Sequence, residues 1–375
     1  MKILMFYSIT MNRNCNFNCT YCYQHYKKNI CIETDTLKKI CEFIIKHSLD
    51  LMDSSIDINI SGGECLLYSE KIKFFICLIK EELSKYKLPA PNIEISTNAS
   101  LLTEELIEFF AVNDCMLYIG FDGVEKIQNL NRKMLNSNDS YSLCLSKLEM
   151  LKKNEAYNKI VTINSVITSN NVEYLCRNFE FLKGTFQKFR FSFNFAYNSK
   201  WNRKSLQMLE TELKKLAELY IKYIKTNKTF SLNLFDRQIK MCLKSYFNQK
   251  PQCNAIESSI GFTPEGYIIV CGTCLGLKAE QSFIIGDVDF GVNEEKKQQL
   301  LRNKQITHFK CKKCVYENKC YNYCPSSNFL AGSKLFKPST TLCKLNRILI
   351  KVSEFILNSL CEIDFDIVKN KFWDD

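Results

Sequence analysis

Apolar residues recur at two different periods along the first two hundred residues. Runs of alternating or β-branched positions at 3–8, 56–60, 93–96, 116–121, 160–168 and 189–195 predict six strands. Between them the period changes to that of a helix. Leu37, Ile40, Cys41, Ile44 and Ile45 share one helical face, and Thr103 ahead of Glu104 and Glu105 has the chemistry of a helix start. Leu148 with Leu151, and Phe179 with Leu182, continue the alternation. Strands separated by one helix each pair in parallel through right-handed crossovers. The predicted fold class is therefore α/β, an open partial (β/α)6 barrel.

The loops after the predicted strands carry the unusual residues. They are CNFNCTYC after the first, Ser61-Gly62-Gly63-Glu64 after the second, Ser96-Thr97-Asn98 after the third and Phe121-Asp122-Gly123 after the fourth. Active sites of parallel barrels form at this end of the strands, so these loops are expected to converge. A lysine-rich helix over 206–224 follows, and cysteine density rises again from Cys242. The expected domains are 1–235, the partial barrel, and 236–375, a cysteine-rich C-terminal domain.

Composition narrows the function class. Twenty cysteines in 375 residues would mean a disulfide framework only in a small secreted chain. The start, MKILMFYSITMNRNC, has no small-residue cleavage site and reads as a first strand. No apolar run approaches the roughly 18 residues that cross a bilayer. These features predict a cytoplasmic protein with reduced thiols and no membrane partner. The formal charge of +11 comes with no basic run interleaved with aromatics, so no nucleic-acid partner is expected. The lysine surplus reads as a solvated surface able to attract an acidic peptide or electron carrier.

Cys15, Cys19 and Cys22 stand in a Cys-x3-Cys-x2-Cys spacing. Three thiolates so spaced can hold a [4Fe-4S] cluster and leave its fourth iron open to a substrate or cofactor. A zinc site completed by His25 is the alternative, although zinc motifs usually pair their cysteines.

On these motifs the N-terminal half resembles the radical S-adenosylmethionine (SAM) enzymes. The resemblance implies that SAM chelates the open iron and yields a 5′-deoxyadenosyl radical. It also implies that Tyr21 packs adenine and that Gly63 and Glu64, in a loop similar to GGEP with Cys65 in place of proline, meet the SAM amino group. Ser96 and Asn98 fall in the next SAM-facing loop. Arg132, at the end of DGVEKIQNLNR beginning at Asp122, matches the arginine that pairs with the SAM carboxylate. The family's usual serine two positions before Asp122 is Gly120 here, so any ribose contact there is implied to come from backbone or another side chain. Ala196, after strand six, matches a backbone contact to adenine.

The C-terminal half resembles the SPASM pattern through Cys253, Gly266, Cys271, Cys311-x2-Cys314-x5-Cys320-x3-Cys324 and Cys343. The alternative reading of the Cys-x2-Cys pair is a zinc knuckle. The SPASM resemblance implies two auxiliary [4Fe-4S] clusters. The outer is implied to use Cys311, Cys314, Cys320 and Cys343; the inner, Cys253, Cys271 and Cys324, with Cys274, then Cys242, as fourth ligand, or an open iron. Most of the remaining cysteines lie in apolar helices or strands and read as small buried hydrophobes with no catalytic role.

Peptide maturases and anaerobic sulfatase-maturing enzymes share this double pattern. The sulfatase enzymes place an aspartate after the second inner-cluster cysteine as general base, and here Cys271 is followed by Gly272. The favoured expectation is a maturase that forms a thioether or carbon–carbon cross-link in a ribosomally made precursor peptide. The alternative is formylglycine formation, and a weaker one is an iron–sulfur electron carrier with no substrate. A flavodoxin- or ferredoxin-type donor is expected. Because Cys15 comes so early, leader recognition is expected from a separate protein, the C-terminal region or no module.

Overall fold

The computed structural model describes residues 4–24, 27–51, 55–155, 157, 160–247, 257–305, 308–320, 324–363 and 365–373. Its strands are Leu4–Thr10 (β1), Phe17–Cys19 (β2), Ser55–Ser61 (β3), Asn92–Thr97 (β4), Met116–Gly120 (β5), Arg132–Met134 (β6), Val161–Ile167 (β7), Arg190–Phe195 (β8), Ser259–Phe262 (β9), Tyr267–Ile269 (β10), Ile284–Asp287 (β11) and Gly291–Val292 (β12). Each of the six predicted strands overlaps one of these. Alternation is clearest in β3, where Ile56, Ile58 and Ile60 point inward, and in β7, where every second residue is buried.

The chain forms two compact units interleaved along the sequence. The first takes in 1–121, 128–162 and 254–303. Its sheet runs β12-β11-β10-β9-β1-β3-β4-β5. β1 with β3, β3 with β4, and β4 with β5 are parallel, as one-helix crossovers demand. The helices Thr34–Asp50, Ser69–Lys85 and Glu104–Val112 supply those crossovers. Thr103 caps the third by accepting from Leu106 N at 3.2 Å.

The other edge of β1 differs from the expectation of a six-stranded sheet. β9 pairs with it in parallel, Phe6 opposite Ser259 through Ile9 opposite Phe262, and β10 to β12 continue as antiparallel strands. The four residues of β9 are all buried and do not alternate, so the chain offers no period by which to find them. Gly266, with φ of +90°, makes the turn from β9 to β10, a left-handed conformation that suits glycine.

The second unit takes in 122–127, 163–253 and 304–375. Its long helix Arg203–Thr226 opens with a capping box between Asn202 and Ser205 and contains the predicted 206–224 segment. Thr340–Ile363 packs against it and against Asn233–Tyr246. Phe179 lies at the centre of an aromatic core with Phe191, Phe193, Tyr223 and Phe230, at centroid distances of 5.8 to 6.4 Å.

Candidate functional site

In the first unit the cysteine loop is laced to the loop after β3. Gly63 N donates to Asn12 O and Glu64 N to Asn14 O, both at 3.0 Å, while Asn12 Nδ2 donates to Glu64 O at 3.0 Å. This lacing explains the paired glycines. A Cβ on Gly62 would lie 2.1 Å from Asn12 Oδ1, and one on Gly63 2.1 Å from the Asn14 carbonyl oxygen. Only bare backbone fits so close to the cysteine loop.

Glu64 is buried, and the chain's own donors occupy its carboxylate. Thr97 Oγ1 donates at 2.6 Å, Asn98 N at 2.7 Å and Leu66 N at 3.1 Å. Burial pushes its pKa up, and these donors and Arg132 oppose the rise. The carboxylate thus fastens the loop after β3 to the loop after β4. Asn98 carries the connection onward, its Nδ2 donating to Asn16 Oδ1 at 2.9 Å and lying 4.0 Å from Cys15 Sγ. Ser96 accepts from Asn59 Nδ2 through its hydroxyl, and its carbonyl accepts from the Cys65 thiol at 3.2 Å. The cysteine in place of proline is therefore a buried link between the same two loops.

Arg132 reaches this group through β6, which pairs with β2 so that Cys19 faces Arg132. Its Nη1 donates to Tyr21 OH at 2.6 Å. The guanidinium lies across the end of β5, where a Cβ on Gly120 would be 2.3 Å from Nη2. A serine at 120 would displace the arginine, so the departure from the expected serine is the space Arg132 occupies.

A network that the sequence reading missed fixes the rear of the cysteine loop. Arg13 Nε and Nη2 bond both Glu265 oxygens at 2.6 and 2.8 Å, and its Nη1 and Nη2 bond both Glu280 oxygens at 3.0 and 2.6 Å. Glu280 also accepts from Gly276 N at 2.6 Å. Two forked carboxylate pairs on one buried arginine join residues more than 250 positions apart. No local spacing could have signalled it.

The same network holds the loop that carries Cys271 and Cys274, which are joined by Cys274 N donating to Cys271 O at 3.0 Å. Tyr23 lies within electrostatic reach of Cys22, Cys271 and Cys274, and burial pushes its phenol up. Gly272, between the two cysteines, is pressed on β1: a Cβ there would meet Ser8 Oγ at 2.4 Å and Ser8 Cβ at 2.8 Å. The position that would carry an aspartate has no room for one.

In the second unit Asp122 is fully buried, its carboxylate accepting from Val166 N at 3.1 Å. Ala196 has its N bonded to Ile167 O at 2.8 Å, and its carbonyl accepts from Ser199 N and Trp201 Nε1. Cys311, Cys314, Cys320 and Cys343 come together. Burial pushes the Cys320 thiol up to about 12, the Asn346 hydrogen bond opposing and Cys343, Cys311 and Cys314 adding to the rise. Cys324 caps the helix Pro325–Gly332 by accepting from Ser327 N at 3.5 Å. Cys242 is buried in Asn233–Tyr246 and accepts from Gln238 Nε2 at 3.8 Å. Cys253 and His25 lie outside the described residues.

The described cysteines are all free thiols. Among the described residues no three Cys, His, Asp or Glu side chains converge as ligands of one metal ion. In a four-iron cluster each thiolate binds its own iron. Three partly exposed thiols in one braced loop therefore suit an iron–sulfur cluster. Among the described residues no helix is long and apolar enough to cross a membrane.

Residues 9–182 match the Radical SAM superfamily. The chain carries a radical SAM domain. This family implies a [4Fe-4S] cluster with SAM. The radical SAM chain is 24% identical to a cysteine-type anaerobic sulfatase-maturating enzyme of Clostridium novyi (strain NT), over 86% of this chain and 88% of that one. It is 23% identical to the enzyme of the same description from Clostridium perfringens (strain 13 / Type A), over 83% and 85%. Among solved structures it shares its fold with native anSMEcpe with bound AdoMet, at a TM-score of 0.78 and 20% identity over 96% of this chain and all of that one. Streptococcus suis SuiB bound to precursor peptide SuiA matches at a TM-score of 0.62 and 16% identity, over 91% and 76%. Residues 9–182 form a radical SAM domain, and the chain is similar in sequence to sulfatase-maturating enzymes and shares a mixed α/β fold with anSMEcpe and with SuiB.

Proposed function

We propose that this enzyme forms an oxidative cross-link, a thioether or a carbon–carbon bond, within a ribosomally made precursor peptide. The observation that carries this reading is Gly272, whose contact with Ser8 leaves no space for a carboxylate beside Cys271. The carboxylates Glu265 and Glu280 are committed to Arg13 and are not available as a base in its stead. Bound at Cys15, Cys19 and Cys22, the cluster and SAM would supply the 5′-deoxyadenosyl radical that takes a hydrogen from a peptide C–H. The peptide loses two hydrogens and gains one bond: one hydrogen atom would leave with the deoxyadenosyl group, and the second as a proton to water and an electron to an auxiliary cluster.

The chain's own residues prepare the site. Arg132 holds the SAM carboxylate while Tyr21 fixes its guanidinium, and Tyr21 offers its ring to adenine. Gly63 presents backbone to the SAM amino group, Glu64 positions that backbone, and Ser96 and Asn98 line the next loop. Gly120 leaves room for Arg132, and Asp122 sets the turn after β5. In this reading 1–235 binds SAM and 236–375 is a SPASM domain with two auxiliary [4Fe-4S] clusters, a division of cofactors and not of compactness. Cys311, Cys314, Cys320 and Cys343 hold the outer cluster; Cys253, Cys271, Cys324 and Cys274 hold the inner. A flavodoxin- or ferredoxin-type protein supplies electrons, and a separate protein can present the leader.

The second reading, conversion of Cys or Ser to formylglycine, is favoured by the sulfatase-maturating relatives. The test is anaerobic incubation of the reconstituted enzyme with SAM, reductant and the peptide encoded beside it, read by fragmentation mass spectrometry. Loss of two hydrogens with fragmentation blocked across a segment is expected. A hydrazine-trappable aldehyde at one Cys or Ser would replace the cross-linking reading with the second.

A further inference from the structure

The helix Thr340–Ile363 brings Cys343 to the outer cysteine group, and two more of its side chains point at sulfur. Asn346 Nδ2 donates to Cys320 Sγ at 3.4 Å and Arg347 Nη2 to Cys314 Sγ at 3.7 Å. Positions 343, 346 and 347 stand at i, i+3 and i+4, so one helical face presents a ligand and two donors. Asn346 is 5% exposed, and its amide reaches a buried thiol at 9%. Arg347 is exposed and adds a positive charge at the half-exposed Cys314. In the cysteine loop after β1, Cys15 Sγ accepts from the backbone N of Phe17 at 3.3 Å and has the Asn98 amide at 4.0 Å.

Hydrogen bonds and positive charge at cluster sulfurs favour the reduced, more negative form and raise the reduction potential. We propose that Asn346 and Arg347 are positioning residues that raise the potential of the outer iron–sulfur site through the Cys320 and Cys314 sulfurs. This inference rests on the auxiliary-cluster reading given above. It makes the outer site an electron acceptor whose poise is set by side chains outside its ligand set.

The test is a redox titration of the full-length reconstituted protein followed by electron paramagnetic resonance, with iron content measured on each variant. The outer-site signal is the one lost in Cys343→Ala. Arg347→Leu is expected to make reduction about tenfold less favourable, a fall of ~59 mV for a one-electron couple. Asn346→Leu is expected to move it the same way, and Arg347→Lys to keep most of the wild-type value. Lys344→Leu removes an equal charge from an exposed position of the same helix and is expected to change it little. An unmoved potential in Arg347→Leu with full iron content would overturn the inference, as would an equal shift in Lys344→Leu. If Asn346→Leu loses iron, the exposed Arg347 series decides alone. Iron content and spectrum unaffected by Cys343→Ala would instead overturn the auxiliary-cluster reading.

Discussion

Single residues decide how close the loops of this site approach one another. Gly120 is the clearest case, because the guanidinium of Arg132 occupies the space a side chain would need. Gly120→Ser is expected to push Arg132 off Tyr21 and weaken SAM binding roughly tenfold or more, the worth of a charge-assisted hydrogen bond. Calorimetric titration of the reconstituted variant, with iron content unchanged, checks this. Gly272→Asp separates the two functional readings in another way. Its Cβ overlaps Ser8, so the variant is expected to lose about 1–3 kcal/mol of stability in urea and to produce no formylglycine. Both roles are invisible in the chain itself, where the glycines read only as departures from a motif. The three-cysteine loop was legible because its ligand spacing is local. The reason for Gly120 and Gly272 was not, because each is set by a residue on another strand or loop.

Elements make the next scale, and here the apolar period was a good guide. Leu37, Ile40, Cys41, Ile44 and Ile45 are buried on the helix Thr34–Asp50 as their spacing requires. The same helix seats His47 against β1, its Nδ1 2.8 Å from Tyr7 OH and its ring beside Phe43. Burial, with Lys297 adding and Asp50 and Glu294 opposing, lowers the His47 pKa below its usual value near 6.5. The unfolded chain thus takes up a proton here before the folded one does. Stability contributed by neutral His47 is full above about pH 6.5 and is lost as pH falls through the depressed value. Melting temperature followed against pH is expected to show that slope, and His47→Gln to flatten it. The period failed at β9, since four buried residues with no polar alternation look like any short apolar run.

At the scale of the molecule, long-range pairs join what the sequence keeps apart. Arg13, beside the first cysteine, closes on Glu265 and Glu280. Arg13→Met would leave the buried Glu280 carboxylate without its partner, while Glu265 is exposed to water, a loss of about 3 kcal/mol. Urea unfolding is expected to register it as a lower midpoint, and iron uptake by the cysteine loop is expected to fall with it. A midpoint within experimental error of wild type would show that Arg13 does not brace the loop.

The sequence by itself determined the parallel alternation of strands and helices, the apolar helical faces and the local spacing of the cysteines. These depend on local period and on the reach of a few residues, and both are written into neighbouring letters. The tertiary structure alone decided that β9 extends the sheet on the far side of β1, and that Glu64 serves as a fastener between loops. It alone decided that Arg132 fills the space above Gly120 and that Asn346 and Arg347 aim at sulfur. Each of these is a contact between segments distant along the chain, and such contacts exist only once burial has chosen which surfaces meet.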